Sequence, residues 1–171
     1  MTDAEFRDAF HGHKDVLYRF AYRMMGSGAA AEDVVQDCFL ALWRNPTGYD
    51  PKRGALRAFL LGVTRNLILR RWRDERVHDP VDEDSAICGP IDMEGRQRAE
   101  IVSRAVQALP ALQREALILA EYEEMSLEEI ARATEAELAA VKSRLHRARE
   151  NLRRMLAPLL AGKGNVYGTR S

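Results

Sequence analysis

Cysteine is nearly missing from this chain: Cys38 and Cys88 stand far apart, outside any CxxC or Cys/His grouping. That spacing indicates neither a disulfide framework nor a zinc site. Aromatic residues make up only 7%, and β-branched residues seldom cluster, so the usual material of sheets is scarce. No run approaches the ~18 consecutive apolar residues of a membrane span. The amino terminus, MTDAEFRDAF, has no apolar signal core, so the expected compartment is the cytoplasm. A GxSxG elbow, a Walker loop and an HExxH pair are all missing, which leaves no visible active site and makes an enzyme the least favoured class. His11 and His13 would point apart on a helix and have no third ligand nearby, so neither a metal nor a cofactor is expected.

Net charge is missing as well, with 26 basic and 26 acidic side chains in 171 residues. The balance conceals segregation. Residues 1–78 carry 13 basic and 10 acidic side chains, and residues 96–171 repeat those numbers. Between them, residues 79–95 hold Asp79, Asp82, Glu83, Asp84, Asp92 and Glu94 and no base. Ala, Leu, Arg and Glu dominate the composition, and all are strong helix formers. With 46% apolar and 30% charged residues the chain is globular. The expected fold class is all-α: two small helical domains joined by a flexible acidic linker.

Apolar spacing places the elements. Phe6, Phe10, His13, Leu17, Phe20 and Met24 recur at steps of three and four, one face of a long helix that ends near GSG at 26–28. A second helix over 29–44 turns Val34, Val35, Cys38, Phe39, Leu42 and Trp43 inward. NPTGYDPKRG is a loop by its proline and glycine. A third helix over 55–76 uses Leu56, Leu60, Val63, Leu67 and Ile68. Residues 79–95 lose the period, and their isolated apolar side chains cannot offset the entropy of ordering. Helices follow around 101–109, 113–122, 126–133 and 138–156. Ser126 and Glu129 form a capping box at the third of these. The expected domains are residues 1–78 and 96–158, with 79–95 as linker and 159–171 as a flexible tail.

The segment LEEIARATEAELAAVKSRLHRAREN reads as a short helix, a tight turn and a longer basic helix, the plan of a helix-turn-helix. Val141, Leu145, Ala148 and Leu152 face its core, and Lys142, His146 and Arg149 share an outward side. Such a division suits a helix that packs on one face and offers donors to bases and phosphates on the other; a solvated Arg-rich surface gives the same pattern. The 55–76 helix carries Arg57, Arg65, Arg70, Arg71, Arg73 and Arg76 with Asn66 and Trp72 among them. Arg beside aromatics suits single-stranded nucleic acid, and an ordinary surface helix remains the alternative. In AEDVVQD, the polar face of Asp33, Gln36 and Asp37 is either solvated or a docking surface for a basic helix.

Together AEDVVQDCFLALWRN, YDPKRGALRAFLLGVTRNLILRRWR, LPALQREALILAEYEEMSLEEIA and VKSRLHRARENLRRML resemble the successive signatures of extracytoplasmic-function sigma factors of the sigma-70 superfamily, across roughly residues 5–156. The resemblance implies a region-two domain followed by a region-four helix-turn-helix domain. It implies a monomer that binds core RNA polymerase, through the beta-prime coiled coil and the beta flap, and directs it to promoter DNA. An anti-sigma factor is an implied partner. Asp33, Gln36 and Asp37 match polymerase-docking positions. Tyr49, Lys52, Arg53, Arg65, Asn66, Arg70 and Arg73 match the part that melts and holds the minus-ten element. Lys142, Ser143, Arg144, His146 and Arg147 match the readers of the minus-thirty-five element. The acidic segment matches the linker that threads toward the RNA exit channel.

The chain departs from the family pattern at Phe59, where Trp is usual, and at Arg70, where Asp is common. It departs again in the turn, where Gly is common at Glu135, a capping residue near Glu137 and Thr at Ala140. Two other readings stay open: a sigma-like mimic that titrates an anti-sigma factor without binding DNA, and a dimeric helix-turn-helix regulator. Retention of Lys142, Arg147 and the Arg cluster at 65–76 argues against the mimic, and the first domain argues against the regulator.

Overall fold

Thr2 starts the first helix by a reciprocal exchange. The Glu5 amide donates to its hydroxyl at 3.2 Å, and the Thr2 amide donates to the Glu5 carboxylate at 2.6 Å. This capping box satisfies amides that the first turn leaves without partners, and α1 runs Asp3–Met25. Gly26 ends it at φ 71°, a left-handed conformation that glycine adopts without a Cβ penalty. Ser27 caps α2, Gly28–Arg44. Two 3-10 turns, Pro46–Gly48 and Pro51–Arg53, lead to α3, Leu56–Glu75. This computed structural model describes residues 1–75 and 88–164. Among the described residues every regular element is helical, in agreement with the all-α class.

Helices α1, α2 and α3 pack on one another around Leu17, Phe20, Met24, Val34, Cys38, Phe39, Leu60 and Ile68, all buried. Burying each large apolar side chain contributes about 1.5–3 kcal/mol. Trp43 departs from expectation: it is 49% exposed, with its ring edge-on to Phe6 at 4.9 Å. It lies in the last turn of α2, beside the start of α1, where too little helix remains to cover it.

The second half continues with α4, Arg98–Ala108, and α5, Ala111–Leu117, which passes into a single π-helical turn, Ile118–Tyr122. Then come α6, Leu127–Ala133, α7, Leu138–Met155, and α8, Ala157–Gly164. The expected capping box is present: the Glu129 amide donates to Ser126 Oγ at 3.1 Å and the Ser126 amide to Glu129 Oε1 at 3.2 Å. Ile101, Leu109, Ile118, Ile130, Val141, Leu145 and Met155 form the apolar centre. Within it Asn151 donates to Gln113 Oε1 at 2.8 Å, so this buried amide pair satisfies itself.

Two segments are more ordered than their composition implied. The Cys88 amide donates to Asn151 Oδ1 at 3.3 Å, and the Ile91 amide to the Met155 carbonyl at 3.4 Å. The end of the acidic segment thus attaches to α7, taking up a carbonyl that the helix terminus leaves free. Asp79, Asp82, Glu83 and Asp84 lie outside the described residues. The expected flexible tail is helical to Gly164, because Pro158 stands in the first turn of α8, where proline costs no hydrogen bond. Residues 165–171 lie outside the described residues.

The two halves are in contact, α1 against α4 and α5, and α3 against α6. Helix α3 is buried on more than one side for this reason: Leu60, Leu61, Gly62, Thr64, Ile68 and Trp72 are all inside. Gly62 permits the approach, since a Cβ there would come within 3.1 Å of the Ala133 carbonyl oxygen. Arg114 reaches from α5 to the Met24 carbonyl at the end of α1 and donates to the Leu109 carbonyl at 2.8 and 3.2 Å. A cation at a helix C-terminus meets the negative end of its dipole. Its burial holds the guanidinium down at about 10.

Candidate nucleic-acid and polymerase interfaces

Asp33, Gln36 and Asp37 are exposed on α2, and Asp33 Oδ2 lies 3.6 Å from Arg71 Nη2. Leu40 continues this stripe and is 41% exposed. Its i+3 spacing from Asp37 places it on the same face of α2.

The side chains matched to the minus-ten element fall into two groups. Tyr49, Arg53 and Asn66 line one cleft of about 580 Å³. The Tyr49 hydroxyl donates to the Gly54 carbonyl at 3.2 Å, and its ring lies 5.5 Å from that of Phe59. Phe59 thus supplies an aromatic wall where the family has Trp. Lys52 is exposed beside the cleft, and Arg70 and Arg73 are exposed farther along α3. Asn66, Arg70 and Arg73, spaced by four and three, share one face of α3. The opposite wall of the cleft comes from the second half: Glu129, Arg132, Glu135 and Glu137. Arg132 crosses it to donate to the Arg53 carbonyl at 3.1 Å.

Arg65 is the exception within that set. Its side chain is 12% exposed and turned to Glu115 of α5, with Nε donating at 2.8 Å and Nη2 at 3.0 Å; Nη1 donates to Asn66 Oδ1 at 3.1 Å. A planar, bidentate Arg–carboxylate pair is the stronger kind of ion pair. Beside it, Arg57 donates to Glu123 at 2.6 Å, and Arg23 stands 3.9 Å from the same carboxyl and over the Tyr122 ring. Burial, and next the Arg57 charge, hold the His13 imidazole below its ordinary value.

On α7, Lys142 and His146 are exposed, and Ser143, Arg144 and Arg147 are half-buried. His146 lies 3.7 Å from Glu150, and Arg149 donates to Glu121 at 3.1 Å. Arg144 adds its positive charge to the surroundings of Glu115, so one carboxylate answers to an arginine from each reader set. Burial nevertheless dominates and pushes the Glu115 carboxyl up, against the pull of Arg65 and Arg144. Sequence reasoning passed over Glu115 and Glu123. Their signal was an acid inside an apolar helical run, LQREALILAEYEEM, which requires a buried base.

The turn between α6 and α7 accounts for two departures from the family pattern. Glu135 takes φ 52°, the conformation for which glycine is suited. Glu137 precedes α7 without a side-chain cap.

Over residues 9–77 the chain matches the family described as Sigma-70 region 2, and over residues 99–152 Sigma-70, region 4. The second match covers α4 to α7, including the helix-turn-helix. The chain is 34% identical over 154 residues to ECF RNA polymerase sigma factor SigE of Mycolicibacterium smegmatis, across 85% of this chain and 59% of that protein. The chain therefore spans about three fifths of that relative. It is 27% identical over 169 residues to ECF RNA polymerase sigma factor SigW of Bacillus subtilis, across 90% of each. The chain belongs to the ECF branch of the sigma-70 family. Among solved structures it is similar to the sigma factor RpoE of Bartonella quintana in complex with the anti-sigma factor NepR, with a TM-score of 0.68 and 27% identity over 90% of this chain and 97% of that one. CnrH, in complex with the cytosolic domain of CnrY, shares the fold at a TM-score of 0.67 and 24% identity, over 94% of this chain and 90% of that one. The family is one of transcription initiation factors whose region four is a DNA-binding helix-turn-helix.

Proposed function

We propose that this chain is an alternative sigma factor that docks on core RNA polymerase and directs it to a stress- or signal-responsive set of promoters. The observation that carries the reading is the coexistence of three surfaces on one all-α chain. The acidic stripe of Asp33, Gln36 and Asp37 with Leu40 suits the beta-prime coiled coil. The first-half wall of Tyr49, Arg53, Phe59 and Asn66, with Lys52, Arg70 and Arg73 exposed along the same half and Arg65 released from Glu115, suits an unpaired minus-ten strand. Lys142, Ser143, Arg144, His146 and Arg147 suit a major groove at the minus-thirty-five element, with the beta flap behind the same domain. Residues 1–78 and 96–158 act as the two functional domains, with 79–95 as the acidic connection. The work belongs to the cytoplasm, and an anti-sigma factor is the expected regulator. No described helix is long and apolar enough to cross a membrane.

The test is run-off transcription with purified core polymerase on the promoter upstream of the protein's own gene. Specific transcripts that need both core and this chain support the reading. Transcription by core alone, or none with both, overturns it.

A further inference from the structure

The two reader sets cannot use promoter DNA in the arrangement described above. Elements centred at minus ten and minus thirty-five lie roughly 25 base pairs apart, about 85 Å at ~3.4 Å per pair. Yet Arg65 of one set lies within 3.0 Å of Glu115, and Arg144 of the other bears on that same carboxyl. The halves therefore separate before both elements are held. Cys88 is held to α7, so the tether is the 12 residues from 76 to 87, which reach at most ~40 Å when extended; the lengths of α3 and α7 supply the rest of the span.

We propose that Glu115 and Glu123 form an internal latch, holding the chain closed by presenting carboxylates to Arg65 and Arg57 in place of nucleic-acid phosphates. The contacts are those of a phosphate mimic. Glu115 receives two donors from a single guanidinium, and Glu123 receives Arg57 with Arg23 near it. Both acids are almost fully buried; Arg65, at 12% exposure, is taken out of water as well as neutralised, whereas Arg57, at 35%, is neutralised but stays partly hydrated. Glu129, Glu135 and Glu137 close the strand cleft opposite Tyr49, Arg53 and Asn66, adding negative charge where a strand would lie. The backbones meet at Gly62 and Ala133, leaving no room for a base or a sugar between α3 and α6. The surface thus has two exclusive occupants, the chain's own second half and a nucleic-acid strand.

This inference rests on the promoter-binding reading. It is tested on the full chain with Glu115→Gln, Glu123→Gln and both together. The comparison is Glu94→Gln/Glu128→Gln, which removes the same charge from exposed positions. Compactness is read by small-angle X-ray scattering, and access to the face by fluorescence anisotropy with labelled single-stranded dT20. A latch that leaves about a tenth of the chain open predicts roughly tenfold tighter binding once it is released. The double variant then shows a larger radius of gyration, the tighter binding and unchanged helicity, and the charge comparison shows neither change. If the double variant loses helicity, Glu123→Gln alone is judged by the same two readouts. A parental radius with parental oligonucleotide affinity overturns the latch, and so does an equal gain in the charge comparison. Run-off transcription by the parent chain is scored separately: its failure removes the sigma reading, whereas a silent variant beside an active parent removes only the latch.

Discussion

Arg65 grips Glu115 through two hydrogen bonds, 2.8 Å from Nε and 3.0 Å from Nη2, where the carboxylate is 1% exposed. The pair joins α3 of the first half to α5 of the second. Neither residue can leave without stranding a charge away from water. Removing one partner of such a pair costs about 3–5 kcal/mol, more than the pair contributes relative to an apolar replacement. Glu115→Ala should therefore lower the unfolding free energy by about that amount in urea denaturation, and a loss near zero would show that Arg65 swings out to solvent.

The same carboxyl gives a pH signature. Burial raises it above its ordinary value of 4.5, so the folded chain binds that proton more tightly than the unfolded chain. Stability from this group then falls as pH rises from 4.5 through the folded value, and is level above it. Glu115→Gln removes the titration and keeps a neutral group of the same shape. In urea melts from pH 4 upward, the parent should lose stability relative to Glu115→Gln across that window. A constant difference between the two would mean that the Arg65 and Arg144 charges fully balance burial.

Glu135 sits at φ 52° in the turn that leads into α7. A side chain other than glycine there costs on the order of 1 kcal/mol. Glu135→Gly should raise the midpoint of thermal unfolding by roughly 2–4 °C per kcal/mol relieved, for a chain of this size. An unchanged or lower midpoint, read by circular dichroism, would assign the carboxylate a stabilising role larger than the backbone strain.

Polymerase docking should depend on the exposed stripe of α2. Asp33→Lys with Asp37→Lys reverses two charges that no core contact needs, since both side chains are exposed. Like charges facing one another across an interface cost several kcal/mol, so core capture should weaken by roughly tenfold or more while helicity is kept. Leu40→Ala should weaken capture less, through lost apolar area alone. Full capture of the double reversal would move the docking site elsewhere.

The helices, their order and most of their inward faces were legible because 3.6-residue periodicity and capping residues are local signals. Ser126 with Glu129, and the GSG break after α1, are cases in which nearby residues decide the structure. The exposure of Trp43 escapes such signals, because periodicity says which face a residue occupies and nothing of whether a neighbour extends far enough to cover it. The contact between the halves was invisible for a related reason. Glu115, Glu123 and Arg114 belong to pairings 50 to 90 residues long in sequence, and charge counted along a chain cannot show which charges meet. Arg65 belongs to the set matched to the minus-ten element, and its donors are taken here by Glu115 and Asn66.

Upstream recognition should divide between Arg147 and Lys142 on α7. Five residues apart, they project about 140° from one another around the helix, with Lys142 exposed and Arg147 half-buried. Arg can present two donors to one guanine edge, while Lys acts as a point charge toward phosphate. Losing a bidentate base contact costs roughly 1–3 kcal/mol at one base pair, whereas losing a phosphate contact weakens every sequence alike. Glu137 lies at the start of the same helix without capping it, and its carboxylate repels any phosphate close to that end. Arg147, on the third turn of α7, stands farther from that carboxylate than Lys142 on the second. Transcribed from a library randomised upstream, Arg147→Ala should flatten the preference at one position, and Lys142→Ala should lower all promoters without reordering them. The base-reading role fails if Arg147→Ala returns the parent's preferences unchanged.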